Sequence, residues 1–265
     1  MTPVIEIAAA GNTHDGGGEV RGSSLWRSAW RRLLRNRSAV AGGVLVLLLA
    51  AVAIAAPYLA PYDPLAPSLE DRLSPPSVLH WLGTDDLGRD ILSRIIYGAR
   101  ASLQVGILAV AFALAAGAVL GIVAGYYGGL MDNLIMRVMD VMLAFPGVLL
   151  AIAVVAIMGP SLGNAMVAIG IVSIPVYARI VRSSTLQVKA SEYLEAARAL
   201  GASDLRIILR HVLPNCMAPL IVQATLGIAT AILDAAGLSF LVLGAQPPTP
   251  EWGAMLSGGR AFLRV

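Results

Sequence analysis

Charged side chains are scarce in this chain, and where they gather, their spacing suits ion pairing and helix capping. One cluster lies in residues 83–94, where Gly83, Thr84, Asp85, Asp86, Gly88, Arg89, Asp90 and Arg94 crowd together. So many carboxylates invite a calcium loop, but the EF-hand spacing and its closing glutamate are absent. The other chemistry is structural. Thr84 is placed to cap a helix whose first turn carries Asp85 and Asp86, and Asp90 and Arg94 stand four apart for a helical ion pair. A second cluster holds Arg179, Arg182, Lys189, Glu192, Glu195, Arg198, Asp204, Arg206 and Arg210, with uncharged deserts from 141 to 178 and from 212 to 233 on either side. Asp234 alone sits deep in an apolar run, where an ionisable group normally faces a cavity or a partner.

Bond-making chemistry has little to work with. The histidines, His14, His80 and His211, are scattered without metal-ligand spacing, and the single cysteine, Cys216, excludes an internal disulfide. There is no Gly-x-x-x-x-Gly-Lys-[Ser/Thr] loop to cradle a nucleotide phosphate. Nor does any nucleophile, base and orienter set stand out, so no catalytic residue is assigned and the chain reads as non-catalytic.

The elements that must position these clusters are apolar helices. Of the 265 residues, 57% are hydrophobic and 13% charged, half the charge of a soluble domain. The chain is therefore an all-α polytopic membrane protein. Its basic balance reflects the positive-inside rule rather than nucleic-acid binding. Residues 1–20 have no apolar periodicity and read as a disordered tail with no cleavable signal. In residues 25–37, Trp26, Trp30, Leu33 and Leu34 recur at helical spacing among arginines, predicting a basic amphipathic helix on the membrane surface. Spans are expected at about 40–59, 103–126, 135–158 with Pro146 inside, 165–181, and 214–244 with a tilt or a break near Gly237. Gly117, Gly121 and Gly125 form a close-packing face on the second span.

The second cluster reads as two short helices. Residues 193–200 are good helix formers, Gly201 suits the left-handed residue that stops a helix, and Ser203 is placed to cap a second helix with Asp204 in its first turn. Pro214 then fits the first turn of the last span.

The order Glu195-Ala196-Ala197, then Gly201, then Leu213-Pro214, resembles the "EAA" loop of ABC importer permeases, with His211 where an aliphatic residue is usual. Residues 83–102 resemble the "GTDxxGRDxxSRxxxGxR" text of the dipeptide, oligopeptide and nickel permeases, as does the Pro-Glu-Trp-Gly at 250–253. The resemblance implies the type I importer permease fold (MetI-like) in a bacterial inner membrane. It also implies a second homologous permease, two cytoplasmic ATPase subunits that hold ATP and Mg2+, and an extracytoplasmic solute-binding protein. Glu195, Ala196, Ala197, Gly201, Ala202 and Asp204 would couple to an ATPase, and Asp234 would line the translocation path or, alternatively, make a hydrogen bond that fixes a helix break near Gly237. Gly83, Thr84, Asp85, Gly88, Arg89 and Asp90 would form an external motif, structural or in contact with the binding protein. The substrate would be a short peptide, with nickel chelates as the alternative. A stand-alone secondary transporter or channel would need more ionisable groups in its spans, or an inverted repeat.

The expected organisation is a cytoplasmic tail and amphipathic helix (1–37), a first span (38–60), an extracytoplasmic loop (61–98) and a permease core (99–265) carrying the coupling loop (182–214). Five spans with a cytoplasmic N-terminus place the C-terminus outside, and the sixth span usual in the resembling permeases is expected to be missing.

Overall fold

The computed structural model describes residues 34–262, so the amphipathic helix expected at 25–37 lies almost wholly outside the described residues. The chain divides into two units, one ending at Leu47 and one beginning at Leu48. Among the described residues every regular element is helical. Helix α1 covers Arg37–Leu59, and its start is capped by the Asn36 side chain, which accepts from the Ser38 and Ala39 amides. Helix α2 (Ile91–Tyr127) is followed by α3 (Gly129–Ala144), α4 (Gly147–Met158), α5 (Leu162–Lys189), α6 (Glu192–Ala199), α7 (Asp204–Ile207), α8 (Leu213–Phe240) and α9 (Trp252–Gly259).

Among the described residues, four helical stretches are long and apolar enough to cross a membrane, and there are five when the bent pair α3–α4 is taken as one span. That pair covers the span expected at 135–158, and the helix is broken at Pro146. The two helices meet at 96°. Pro146 has no N–H and crowds the residue before it, so Phe145 leaves the helix for extended backbone at φ −93 and ψ 140. Helix α2 starts twelve residues earlier than the expected span, and its 37 residues reach roughly 55 Å at 1.5 Å per residue. Of the tilt or break expected near Gly237, the break is absent. With no proline there, α8 runs through to Phe240. It ends where Leu241, Val242 and Leu243 donate back to Gly237, Ser239 and Leu238, with Val242 at φ +65.

The core lies where α2, α5 and α8 cross. Gly117, Gly121 and Gly125 face α5 so closely that a Cβ on each would fall 2.6, 2.5 and 2.8 Å from Tyr177, Ala178 and Thr185 respectively. The glycine face therefore packs within this chain, against its own fourth span. Val105, Ala109 and Ala113 of α2, Ala168 and Val181 of α5, and Ala231 and Leu238 of α8 fill the crossing. In a bilayer such contact, rather than expulsion of water, holds helices together, so small residues at the crossing matter most.

Candidate functional site

At one end of the bundle, α5 delivers the chain to the island between spans. Glu192 to Ala199 form α6, as the helix formers there predict. Its end is a Schellman turn: Gly201 donates to the Arg198 carbonyl at 2.9 Å and Ala202 to the Ala197 carbonyl at 3.1 Å, with Gly201 at φ +79. Ser203 takes the N-cap position of α7, but its side chain makes no capping bond.

The second short helix does not stop before Pro214. It runs on into α8 through a widened, π-type turn at Ile208–Val212. Pro214 cannot donate an amide back along the helix, and the ladder widens so that Leu213 bonds Ile208 instead. Asn215 Nδ2 donates to the His211 carbonyl at 2.6 Å, occupying one of the loosened acceptors.

Inward, the island is fixed. Leu194, Ile207 and Val212 are fully buried. The Tyr126 hydroxyl at the end of α2 donates to Asp204 Oδ1 at 2.6 Å, Lys189 Nζ donates to the Tyr126 carbonyl at 2.7 Å, and the Arg198 guanidinium lies 5.5 Å from the Tyr126 ring centroid. Beside it, Arg182 holds Asp132 with two nitrogens and Arg179 reaches Asp140 at 2.6 Å, tying α5 to α3. Outward, the island presents a tip. Glu195, Ala196, Gly201 and Asp204 are exposed, Ala197 and Ala202 are half-buried, and Leu200 is 89% exposed, with Leu205 and Leu209 also exposed. The predicted coupling residues thus lie on α6, the turn that ends it and the first residue of α7, with Asp204 bonded to Tyr126.

At the far end of α2, the cluster in residues 83–94 forms a knot. Thr84 does not cap a helix: its hydroxyl donates to the Asp71 carbonyl and accepts from the Ser74 amide. The cap of α2 is Asp90, whose Oδ2 takes the Ser93 amide at 2.8 Å and hydroxyl at 2.7 Å while Oδ1 lies 2.9 Å from His80 Nδ1. Burial opposes the charge on Asp90, but the bonds from Ser93 and His80 outweigh it and hold the carboxyl below its ordinary range.

The expected Asp90–Arg94 pair does not form because Asp90 is already engaged. Arg94 instead approaches Asp85 at 3.4 Å and donates to the carbonyls of Pro64 and Pro248. Asp85 also holds the Arg89 side chain at 2.7 Å. Gly83 and Gly88 both have φ +75, and a Cβ there would lie 2.6 Å from the Ser74 oxygen and 1.6 Å from the Ser68 oxygen. The six motif residues are therefore brought together as one structural unit.

Sequence reasoning did not anticipate what the knot grips. Trp252 donates its indole N–H to the Ile95 carbonyl at 3.1 Å and lies on Gly98, where a Cβ would come within 2.7 Å. Glu251, fully buried, caps α9 and lies 3.4 Å from the Ser102 hydroxyl. The signal was the pair of family-like texts themselves, since the one at 83–102 meets the one at 250–253.

Between these ends, Asp234 lies exposed on α8 beside a hollow of about 180 Å3 lined by Gly147, Val148, Ala151, Ile169, Val172 and Leu238. Among the described residues, no side chain pairs with its carboxylate. The hollow opens at the α3–α4 bend, so the break that the apolar pattern concealed is what leaves room beside the acid. Among the described residues no group of His, Cys, Asp and Glu is arranged to hold a metal ion.

Residues 117–263 match the family described as binding-protein-dependent transport system inner membrane component, and residues 24–76 match the N-terminal TM domain of oligopeptide transport permease C. The dipeptide transport system permease protein DppC of Alkalihalophilus pseudofirmus is 53% identical, over 91% of this chain and 79% of that protein. The glutathione transport system permease protein GsiD of Pectobacterium atrosepticum is also 53% identical, over 91% of this chain and 80% of its own length. Among solved structures, a chain of the MetNI methionine ABC transporter in an inward-facing conformation superposes with a TM-score of 0.52 at 18% identity, covering 65% of this chain and 88% of that one. That likeness establishes the shared fold.

Proposed function

Because the chain belongs to the binding-protein-dependent transport system inner membrane components, we propose that it is the permease subunit of an ATP-driven importer of short peptides. It would work beside a second homologous permease, two ATPase subunits and an extracytoplasmic solute-binding protein. The island faces the cytoplasm and the 83–94 knot faces outward, as the concentration of Lys and Arg around the island favours. The observation that carries the reading is the tip at Leu200–Gly201, with exposed apolar side chains on a turn whose base is bonded to α2 and buried against the bundle. Such a turn suits a cleft on an ATPase subunit. ATP-driven closure of the ATPases displaces it, and the helices continuous with it, α5 and α8, carry the displacement into the membrane.

The peptide reading is supported by two relatives whose names specify dipeptide and glutathione transport. Both substrates carry a free α-ammonium group. In this proposal Asp234 meets that ammonium as the peptide passes the hollow. A unit charge pair at 4 Å is worth at most about 4 kcal/mol at an effective dielectric of 20, and solvation returns part of it. Removing the charge should therefore raise KM by about tenfold.

The test is uptake in vesicles containing the complete transporter, comparing a dipeptide, the same dipeptide acetylated at its amino end, and a nickel chelate. ATP-dependent uptake of the free dipeptide, reduced by acetylation and by Asp234→Asn, is the expected result. Uptake of the nickel chelate in place of the dipeptide would refute the substrate class. Equal KM for the Asp234→Asn variant across pH would refute the role of the carboxylate.

A further inference from the structure

Resting on the coupling role proposed for the island, we infer that Tyr126 is the positioning residue through which a load on the island reaches α2. The covalent chain alone joins the island to α5 and α8, because α6 follows α5 and α7 runs into α8. Helix α2 has no such connection, yet it is the helix that reaches the knot at the opposite end of the bundle. Three elements of the island side converge on Tyr126. Asp204, the first residue of α7, accepts its hydroxyl proton at 2.6 Å. Arg198 of α6 lies over its ring at 5.5 Å, and Lys189, the last residue of α5, donates to its carbonyl at 2.7 Å.

The geometry also explains why Asp204 turns inward. Ser203 beside it makes no capping bond, and the Asp204 carboxylate instead takes the Tyr126 hydroxyl. Tyr126 is almost completely buried, so its phenol is held in place beside the exposed Asp204 carboxylate. Above the joint, the Gly121 and Gly125 contacts fix α2 against α5. A displacement of the tip therefore moves α2, α5 and α8 as one block. Helix α3 is held by two side-chain pairs, Arg182–Asp132 and Arg179–Asp140, and the bend after Ala144 separates it from α4. The hollow beside Asp234 lies between this block and the bent pair.

The experiment uses the complete transporter in vesicles and reads substrate molecules imported per ATP hydrolysed. Tyr126→Phe keeps the ring beneath Arg198 and removes one hydroxyl. Its transport ratio is expected to fall about tenfold, the equivalent of one charge-assisted hydrogen bond, while ATP hydrolysis continues. Asp204→Ala should give the same fall, and the Tyr126→Phe/Asp204→Ala pair no more than either alone. Asp204→Asn retains an oxygen acceptor and should restore most of the ratio. Lys189→Met removes the second tether of the same residue and should lower the ratio even if the phenylalanine variant assembles poorly. A wild-type ratio in Tyr126→Phe, or additive losses in the double variant, would overturn the inference. An island-tip variant, Gly201→Val, separates this from the parent reading. If it uncouples and Tyr126→Phe does not, only the link is wrong. If neither uncouples, the coupling role of the island is wrong.

Discussion

Gly201 offers the cleanest quantitative test of the island, because conformation and space are separated there. Its φ is +79, and no heavy atom lies within 4 Å of where a Cβ would stand. Any substitution is therefore penalised by backbone conformation and by nothing else in this chain. For an L-residue the left-handed region costs about 1–2 kcal/mol, and asparagine tolerates it better than other residues do. That cost corresponds to a factor of about 5–30 in the population of the formed turn. Two hydrogen bonds depend on the turn, Gly201 N–H to Arg198 and Ala202 N–H to Ala197. Valine, branched at Cβ, is worse again. The expected order in transport per ATP is Gly201, then Asn, then Ala, then Val, with Ala down by roughly an order of magnitude. The assay is the same vesicle system, with ATPase rate and uptake measured on one preparation. If asparagine and valine behave alike, the left-handed turn is not what the position requires. If valine matches wild type, the tip does not couple at all.

Four further outcomes follow, three from packing and one from electrostatics. Gly237→Ala, in open space within an unbroken stretch of α8, should be neutral or stabilising by up to about 1 kcal/mol; a large loss in thermal unfolding of the solubilised protein would reinstate a break there. Gly121→Ala, by contrast, places a Cβ 2.5 Å from the Ala178 oxygen and should destabilise by about 1–3 kcal/mol in the same assay. Gly88→Ala drives a Cβ to 1.6 Å from the Ser68 oxygen at φ +75, so the knot should open and trypsin should cut at the exposed Arg72; unchanged resistance to trypsin would contradict the structure of the loop. Asp90 titrates below its ordinary range in the fold, so its contribution is complete at neutral pH and is lost only as pH falls below about 3.9, the unfolded value; hydrogen exchange at the Ser93 amide should stay protected until then, and loss of protection near pH 6 would refute the sign.

What was legible in the sequence is what local rules decide. A bilayer demands long apolar runs, so the helices containing Val46, Val110, Ile169 and Leu226 announce themselves by length and composition alone. The glycine face of α2 is legible because spacing by four fixes a face whatever lies opposite. Gly201 is legible because so few residues end a helix as glycine does. Misplaced residues fall into two groups. Pro146 lies inside the span expected at 135–158, and the crowding it imposes on Phe145 is itself local. Its 96° consequence needed only more weight on the residue before the proline. Asp90 and Arg94 are different, because the i,i+4 rule assumes that neither side chain has a better partner elsewhere. Both do: His80 and Ser93 for the acid, and Asp85, Pro64 and Pro248 for the base.

The same long reach gives the two family-like stretches a common meaning. Arg94 meets Pro248, Ile95 and Gly98 meet Trp252, and Ser102 meets Glu251, so residues about 150 positions apart lock the first turns of α2 to the segment after α8. A pattern search sees two motifs, but the fold makes them the two halves of one joint. That joint sits at the opposite end of α2 from Tyr126. A helix anchored by a buried ionic knot at one end and by the island at the other is held to move with both. Holding α2 at both ends is a physical reason for charged text at 83–94 and at 191–210 in a chain otherwise so poor in charge.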